Sequence, residues 1–324
     1  MNAAQRLEEL LADLRQLGNA RARPAAAACP VPVPPAAARG REEALDALAV
    51  LLLSFAGFRP TPHLQRKLDQ ALRHLDADAL NALVAALQAD VSQRDLQAVV
   101  EDITNHETYF FRDPQQLDIL VQHALPAAIR HKARGDRTLR LWSAGCSTGE
   151  EAWTLGMLAL QALLDAGHAR ETRPGEIEPA AGWRLEVLGT DIARPALRVA
   201  REGAYSDNVM ASFRQFPEPF LRFFEERRGT APGYRRLKDS LRRHVTFENF
   251  NLLGNTPPRL QCDIVLCRNV LIYIDPAVQP RIQTMLRDAL RPGGFLMLGV
   301  VDRLWRRDDF AEHWYGRTVI HERK

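Results

Sequence analysis

Hydrophobic positions recur at two periods along this chain, and the change from one to the other divides it. Residues 3–17 place Leu7, Leu10, Leu11, Leu14 and Leu17 at helical spacing, which predicts a short amphipathic helix with one leucine face. The pattern then disappears. Nine Ala and five Pro lie between Ala20 and Arg39, and Pro24, Pro30, Pro32, Pro34 and Pro35 forbid a continuous helix and favour an extended tether. Residues 42–102 return to the helical period. A first helix carries Leu45, Leu48, Leu51, Leu52 and Phe55 and is broken by Pro60 and Pro62. Further helices are expected over Leu64–Leu75, with Arg66, Lys67 and Arg73 on it, over Asp78–Leu87, and over Asp90–Ile103, with Ser92 as N-cap and Asp95 three positions on.

From Leu139 the period changes. Strands at Leu139–Ser143, Arg184–Gly189, Val245–Glu248, Cys262–Cys267, Phe295–Leu298 and Arg317–His321 alternate with helices at Glu150–Ala166, Pro195–Glu202 and Ala277–Leu290. Pro292-Gly293-Gly294 reads as a turn. Alternation with short connections implies an α/β fold with a mostly parallel, doubly wound sheet, whose ligands bind beyond the carboxyl ends of the strands. Residues 204–244 interrupt the alternation with Tyr205, Phe213, Phe216, Phe220, Phe223, Phe224 and Tyr234, and with eight Lys/Arg against three acids from Arg222 to Arg243. They read as an insertion, a helix and a small hairpin beside the sheet. The expected organisation is an amphipathic helix at 1–18, an Ala/Pro-rich linker at 19–41, a helical subdomain at 42–103, a connecting segment at 104–138 and an α/β domain at 139–324 that carries the insertion.

Composition narrows the function classes. The chain has 324 residues, 46% hydrophobic and 26% charged, enough to bury a core without staples. Four cysteines, none in a Cys-x-x-Cys pair, exclude a disulfide framework and argue against a structural metal. The apolar run Ala44–Phe58 is interrupted by Asp46, Ser54 and Gly57 and is too short to span a bilayer, and the start is not signal-like. A cytoplasmic protein with reduced thiols and no membrane insertion is expected. A net charge of +3 decides nothing about nucleic acid.

The chemistry sits at the strand ends. The first strand runs into Ser143-Ala-Gly-Cys-Ser-Thr-Gly-Glu-Glu151. Two glycines let backbone approach a ligand, but the dinucleotide Gly-x-Gly-x-x-Gly spacing is absent, and acids opening a helix would repel a pyrophosphate. A cationic or hydroxyl-rich ligand fits better; simple helix capping is the plainer alternative. The second strand ends at Asp191, placed either to bind a ribose diol or to cap the next helix. Cys267-Arg-Asn-Val-Leu-Ile-Tyr273 closes a buried strand with a charge that must be paired. Thr104-Asn-His-Glu-Thr-Tyr-Phe-Phe-Arg112 places polar groups, three aromatics and Arg between bundle and sheet, where they would line a domain cleft.

Together these segments resemble the chemotaxis-receptor glutamate O-methyltransferase family, CheR. Segments 104–112, 142–151, 190–192, 203–205, 251–253 and 267–273 match its motifs in order, and the likeness extends over about Leu45 to Arg323. The resemblance implies a class I (Rossmann-like) methyltransferase sheet with an N-terminal helical subdomain and a small inserted β-subdomain. It implies S-adenosyl-L-methionine as cofactor, S-adenosyl-L-homocysteine as product, and the helical cytoplasmic domain of a methyl-accepting chemoreceptor as partner. By position it assigns His106, Thr108 and Arg112 to the methionyl part or the transfer centre, and Ala144 and Glu150 to the cofactor-holding turn. Asp191 takes the ribose, Asn251 and Leu252 flank the adenine, Arg268 and Asn269 make further cofactor contacts, and Tyr273 lies near the methyl. Arg112 and Tyr273 are the candidate catalytic residues. Residues 3–17 could add a helix-mediated contact, and the insertion grips a receptor tail in some relatives. Two departures stand out: His106 where some members have Asn, and Gly299-Val-Val-Asp302 where Gly-x-Ser-Glu is frequent. The alternatives are a non-catalytic cofactor- or receptor-binding module, a nucleic-acid methyltransferase, for which the Asn/Asp-Pro-Pro-aromatic turn is missing, and an NAD oxidoreductase, for which the glycine spacing is missing.

Overall fold

The computed structural model describes residues 40–89, 93–104, 106–208, 210–225, 233–254, 256–305 and 307–324. The helix expected at 3–17, the tether up to Arg39 and the Ser92 cap lie outside the described residues. The chain divides into two compact units, Met1–Asn105 with Tyr273–Pro276, and His106–Ile272 with Ala277–Lys324.

The first unit is helical. It contains α1 (Arg41–Ala56), α2 (Pro62–Ala71), α3 (Ala77–Ala89) and α4 (Gln93–Ile103). Leu48, Leu52, Leu68, Leu80 and Leu83 are fully buried, the helical spacing having put them on facing stripes. Thr61 caps α2, its hydroxyl accepting the Leu64 amide at 3.2 Å, and Pro62 occupies the first helical position. The helix expected through Leu75 stops at Ala71 and continues as turn. Lys67 donates Nζ to the Ile103 carbonyl at 3.0 Å, and burial lowers its pKa. The tetrapeptide Tyr273–Pro276, which leaves a 3-10 turn at Leu271–Tyr273, completes this unit. Ile274 bridges Phe58 antiparallel, the Arg59 amide donates to the Tyr273 carbonyl at 2.9 Å, and the Asp275 amide donates to Gly57 at 2.8 Å.

The second unit begins with α5 (Pro114–Ile119), a π-helical turn (Leu120–Ala124) and α6 (Leu125–Ala133). The connecting segment expected at 104–138 is therefore largely helical. Pro126 hides this from the sequence: it lacks the donor for an i−4 bond, and the wider turn before it absorbs the defect. There follow β1 (Thr138–Ala144), α7 (Glu150–Asp165), β2 (Ala169–Arg173), β3 (Glu176–Pro179), β4 (Arg184–Asp191), α8 (Arg194–Glu202), β5 (Ala204–Ser206), β6 (Tyr234–Arg236), α9 (Asp239–Arg242), β7 (Val245–Asn249), β8 (Cys262–Cys267), α10 (Gln279–Ala289), β9 (Leu290–Leu298), β10 (Phe310–Tyr315) and β11 (Thr318–Arg323).

Seven strands form one sheet in the order β10-β11-β9-β8-β1-β4-β7. β9, β8, β1, β4 and β7 run parallel, and β11 and β10 close one edge antiparallel. The doubly wound sheet is the one expected. Pro292-Gly293-Gly294 is not a turn before a strand but a bulge inside β9, where the register with β8 shifts between Cys262 and Ile264. The insertion holds the β5–β6 hairpin and a 3-10 turn (Glu218–Phe223), and its aromatics are core or packed against it, except the exposed Tyr234. Phe213, Phe216 and Phe224 pack on Phe110, and Phe216 and Phe220 on Phe111. Phe110 and Phe111 are buried and anchor the insertion. The basic stretch 222–243 is also tied down in part: Lys238 Nζ donates to the Pro174 carbonyl at 2.6 Å, and Arg242 to the Glu202 and Arg201 carbonyls.

Opposite the carboxyl ends, Asp263 is fully buried at the start of β8. It takes Arg291 Nε at 2.6 Å and the Arg140 amide at 2.9 Å, with Lys132 Nζ at 3.6 Å. Asp263→Ala would leave the buried Arg291 without its carboxylate, while Lys132 keeps Asp136 at 3.2 Å, and a loss of about 3–5 kcal/mol is expected. All five tryptophans lie in the second unit. The loss is therefore expected as a lowered urea midpoint in tryptophan fluorescence, with Asp263→Asn intermediate.

Candidate active site

Four consecutive parallel strands, β8, β1, β4 and β7, bring their carboxyl ends together. β1 ends at Ala144, paired with Thr190, and the chain turns at once: the amides of Gly145 and Cys146 both donate to the Thr190 carbonyl at 2.8 Å. Gly145 has φ +81°, and a Cβ there would stand 2.4 Å from Val270, so only glycine fits. Ser147 also adopts a left-handed backbone, with φ 51°. Its amide donates to Asp191 Oδ2 at 2.8 Å, while the Ala193 amide donates to Oδ1 at 2.8 Å. Both Asp191 oxygens are thus fixed by backbone and still have acceptor directions to spare. Burial holds the Asp191 carboxyl above the usual range; the Ala193 and Ser147 amides and the nearby His106 offset part of this. Ser147 Oγ is buried with no hydrogen-bond partner among the described residues.

α7 opens with two acids of different use. Glu150 is 2% exposed; it accepts from Thr148 Oγ1 at 2.7 Å and Ser212 Oγ at 2.8 Å. Burial raises its carboxyl. Glu151 accepts from Ser143 Oγ at 2.7 Å and faces Arg268; burial raises its carboxyl and the Arg268 charge pulls it down. The Cys146 thiol is pushed well up, first by burial and then by Asp191, Glu151 and Glu150. Three carboxylates therefore surround one turn, which favours a cationic ligand.

Arg268 organises the opposite wall. Its side chain is 1% exposed. Nε donates to Gln116 Oε1 at 2.8 Å, Nη1 to Glu151 at 3.3 Å, and Nη2 to Asp113 at 3.1 Å and the Arg112 carbonyl at 2.5 Å. Gln116 passes the chain of bonds on to the Leu298 carbonyl at 2.8 Å. Phe111, Asp113 and Asn269 all have positive φ (56°, 55° and 58°), clustering strain around this one group. Arg112 itself is half-buried, donates to the Glu107 carbonyl at 3.0 Å and lies over the Tyr109 ring at 5.6 Å.

On the far side of Asp191, Asn251 makes a tight turn after β7, accepting the Leu253 amide at 3.0 Å on its side chain. Asn249 ties that turn to the acid, donating to the Asp191 and Ile192 carbonyls at 3.0 and 2.8 Å. Leu252 is half-buried on the same turn. The 299–302 segment closes as a turn too: Asp302 accepts the Gly299 amide at 3.0 Å.

A model of the family described as CheR methyltransferase, SAM binding domain, matches residues 106–319. The chain belongs to the CheR methyltransferase family. It is 34% identical over 208 residues to Chemotaxis protein methyltransferase 1 of Pseudomonas aeruginosa, covering 64% of this chain and 70% of that one. Chemotaxis protein methyltransferase Cher2 of Pseudomonas putida is 30% identical over 238 residues, 74% of this chain and 80% of that protein. An uncharacterized 104.1 kDa protein of Rhodobacter capsulatus is 30% identical over 80% of this chain, which spans 25% of its length. The CheR match makes this an S-adenosylmethionine-dependent methyltransferase with a class I sheet.

Of the residues expected from the sequence, the second unit holds His106, Thr108, Arg112, Ala144, Glu150, Asp191, Asn251, Leu252, Arg268 and Asn269. Tyr273 belongs to the first unit. Arg268 spends four bonds on protein groups, so it acts on the site by holding Arg112, Asp113 and Glu151 in place. Glu151, Asp113, Gln116 and Ser147 were missed. The need of a buried arginine for acid partners pointed to Glu151 and Asp113; nothing in the sequence pointed to Gln116. Among the described residues no His/Cys/Asp/Glu cluster could hold a metal, and no helix is long and apolar enough to cross a membrane. Arg268→Ala would strand the buried Glu151 carboxylate, and a loss of about 3–5 kcal/mol is expected in calorimetric unfolding. Arg268→Lys keeps the charge without the fork and is expected to recover only part.

Proposed function

We propose that this CheR protein methylates glutamate side chains of a methyl-accepting chemoreceptor, in the cytoplasm, using S-adenosylmethionine. The observation that carries this is the anionic turn of Asp191, Glu150 and Glu151 beside the half-buried Arg112. The donor set fits the cofactor. Asp191 presents fixed acceptors for a ribose diol, the unpartnered Ser147 hydroxyl lies on the same turn, and the three carboxylates complement a sulfonium and an ammonium. Ala144, Glu150 and Asn269 border the methionyl side, and Asn251 and Leu252 the adenine. His106 and Thr108 enter from the segment that carries Arg112.

Bound there, the cofactor supplies an electrophilic methyl group. The acceptor needs no general base, because a glutamate of ordinary pKa near 4.3 is ionised at neutral pH. The protein's work is placement and removal of water: opposite charges disappear on the way to the transition state, so a dehydrated carboxylate reacts faster. Arg112 orients that carboxylate obliquely, since a tight bidentate pair would stabilise the ground state instead. Tyr273 is a hydrogen-bonding positioner. The receptor's helical cytoplasmic domain is the macromolecular substrate.

Incubation with labelled S-adenosylmethionine and membranes of the source cell is expected to put base-labile label on receptor-sized bands. Binding of S-adenosylhomocysteine without any transfer would make the protein a regulatory binding module instead. Asp191→Asn is expected to weaken S-adenosylhomocysteine binding about tenfold to a hundredfold, the worth of hydrogen bonds to a charged acceptor. The pH dependence has a definite sign. The ionised acid binds, and burial raises its pKa, so calorimetric affinity should fall on acidification beginning above the ordinary aspartate range; the Asn variant should lack that fall. Arg112→Ala is expected to lower methyl incorporation on the order of a hundredfold, the cost of a misplaced reactant. Near-normal turnover would remove Arg112 from the mechanism.

A further inference from the structure

The insertion sends one side chain back to the segment that carries Arg112. Arg214 stacks on the Tyr109 ring, its guanidinium carbon 4.4 Å from the centroid, and Arg112 lies over the same ring at 5.6 Å. One acid serves both. Glu107 gives its carbonyl to Arg112 at 3.0 Å and its carboxylate to Arg214 at 3.2 Å. The turn bearing Arg214 is pinned to the site from below: the Phe110 amide donates to the Ser212 carbonyl at 3.0 Å, and Ser212 Oγ donates to Glu150 at 2.8 Å. Arg214 is therefore an exposed cation on a fixed base, next to the arginine that orients the reacting carboxylate.

Its present partner is weak. The Glu107 side chain is 59% exposed and that of Arg214 35% exposed, and an ion pair in such water contributes little. Two guanidiniums against one carboxylate leave a positive excess, because Asp113 is already committed to Arg268. Stacking on Tyr109 orders Arg214 in advance, so an incoming anion can replace Glu107 at little entropic cost.

We propose that Arg214 is a specificity residue that pairs with a second acidic side chain on the protein substrate, beside the one that accepts the methyl. This rests on the reading of the site as a protein-carboxylate methyltransferase. Glu107 competes with the substrate for Arg214, so the two residues act in opposite senses.

The test uses the full-length protein and a helical cytoplasmic fragment of a methyl-accepting receptor from the source cell. Arg214→Gln is expected to raise KM for the fragment about threefold to tenfold, with kcat and S-adenosylhomocysteine affinity nearly unchanged, and to flatten the salt dependence of kcat/KM. Glu107→Gln is expected to lower KM. If the pair only braces the turn, both variants raise KM or lower kcat together, and the inference is overturned. Replacing the glutamates that neighbour the methylated one by glutamine should abolish the difference between Arg214→Gln and the parent; a difference that persists also overturns it. Calorimetric binding of the fragment to the protein loaded with S-adenosylhomocysteine carries the same comparison without turnover. There, equal affinity of the parent and Arg214→Gln, or no binding by the parent, sinks the specificity role. Absence of methyl transfer by the parent despite such binding would instead sink the catalytic reading alone.

Discussion

A guanidinium removed from water must have its hydrogen bonds supplied by the protein, and at Arg268 this requirement shapes the whole site wall. Four bonds draw three separate stretches to one point: the Phe-Phe-Arg segment through the Arg112 carbonyl and Asp113, α5 through Gln116, and α7 through Glu151. Burial of so many polar groups is tolerable only when each is satisfied. Strain concentrates beside it, in the left-handed residues Phe111, Asp113 and Asn269. Each such residue costs about 1–2 kcal/mol, so the conformations persist only because the surrounding packing over-determines them. The aromatic cluster under Phe110 and Phe111 supplies that packing, which gives the insertion a structural duty besides any binding one.

The site's electrostatics then separate by sign over a short distance. Asp191, Glu150 and Glu151 make the turn after β1 anionic, and they add to the burial that keeps the Cys146 thiol from ionising. A few residues away Arg112 and Arg214 share one ring. The two fields are opposite in sign, which suits the cationic donor and the anionic acceptor of the proposed function. All three carboxyls are raised by burial, which marks them as costly to keep ionised in the folded protein at neutral pH. Groups held at such expense are characteristic of sites rather than of surfaces.

Much of this was legible beforehand. The buried strand Cys262–Cys267 was predicted to the residue, because a continuous apolar run between turns admits few readings. The ends of β1 and β4 were found because ligand-binding turns need glycine and a strand-end acid. The hairpin β2–β3 was missed because its side chains are largely accessible and carry no alternation, and β10 because its apolar residues do not alternate along an edge strand. α5 and α6 were lost to a proline. Within the site, pairing logic demanded partners for Arg268 but could not rank the acids. Glu150 drew attention by opening the helix, yet it is Glu151, one residue on and about 100° round the helix, that meets the arginine.

The departure at 299–302 shows how a missing motif can be compensated locally. A Cβ at Gly299 would come within 2.6 Å of Asp302 Oδ2 and 2.9 Å of the Asn269 amide, so the loop is held against the strained end of β8 and tolerates no side chain there. Asp302 takes the Gly299 amide and adds its charge to the burial that raises the Cys267 thiol. An acid one methylene shorter than glutamate is thus sufficient to close the turn, because the donor it accepts from is a backbone amide only three residues away. What the substitution changes is the outer surface, where Val300 and Val301 stand exposed in place of the polar residue frequent in the family pattern. Inside the turn the Asp302 carboxylate meets the backbone, and outside it the two valines present an apolar face.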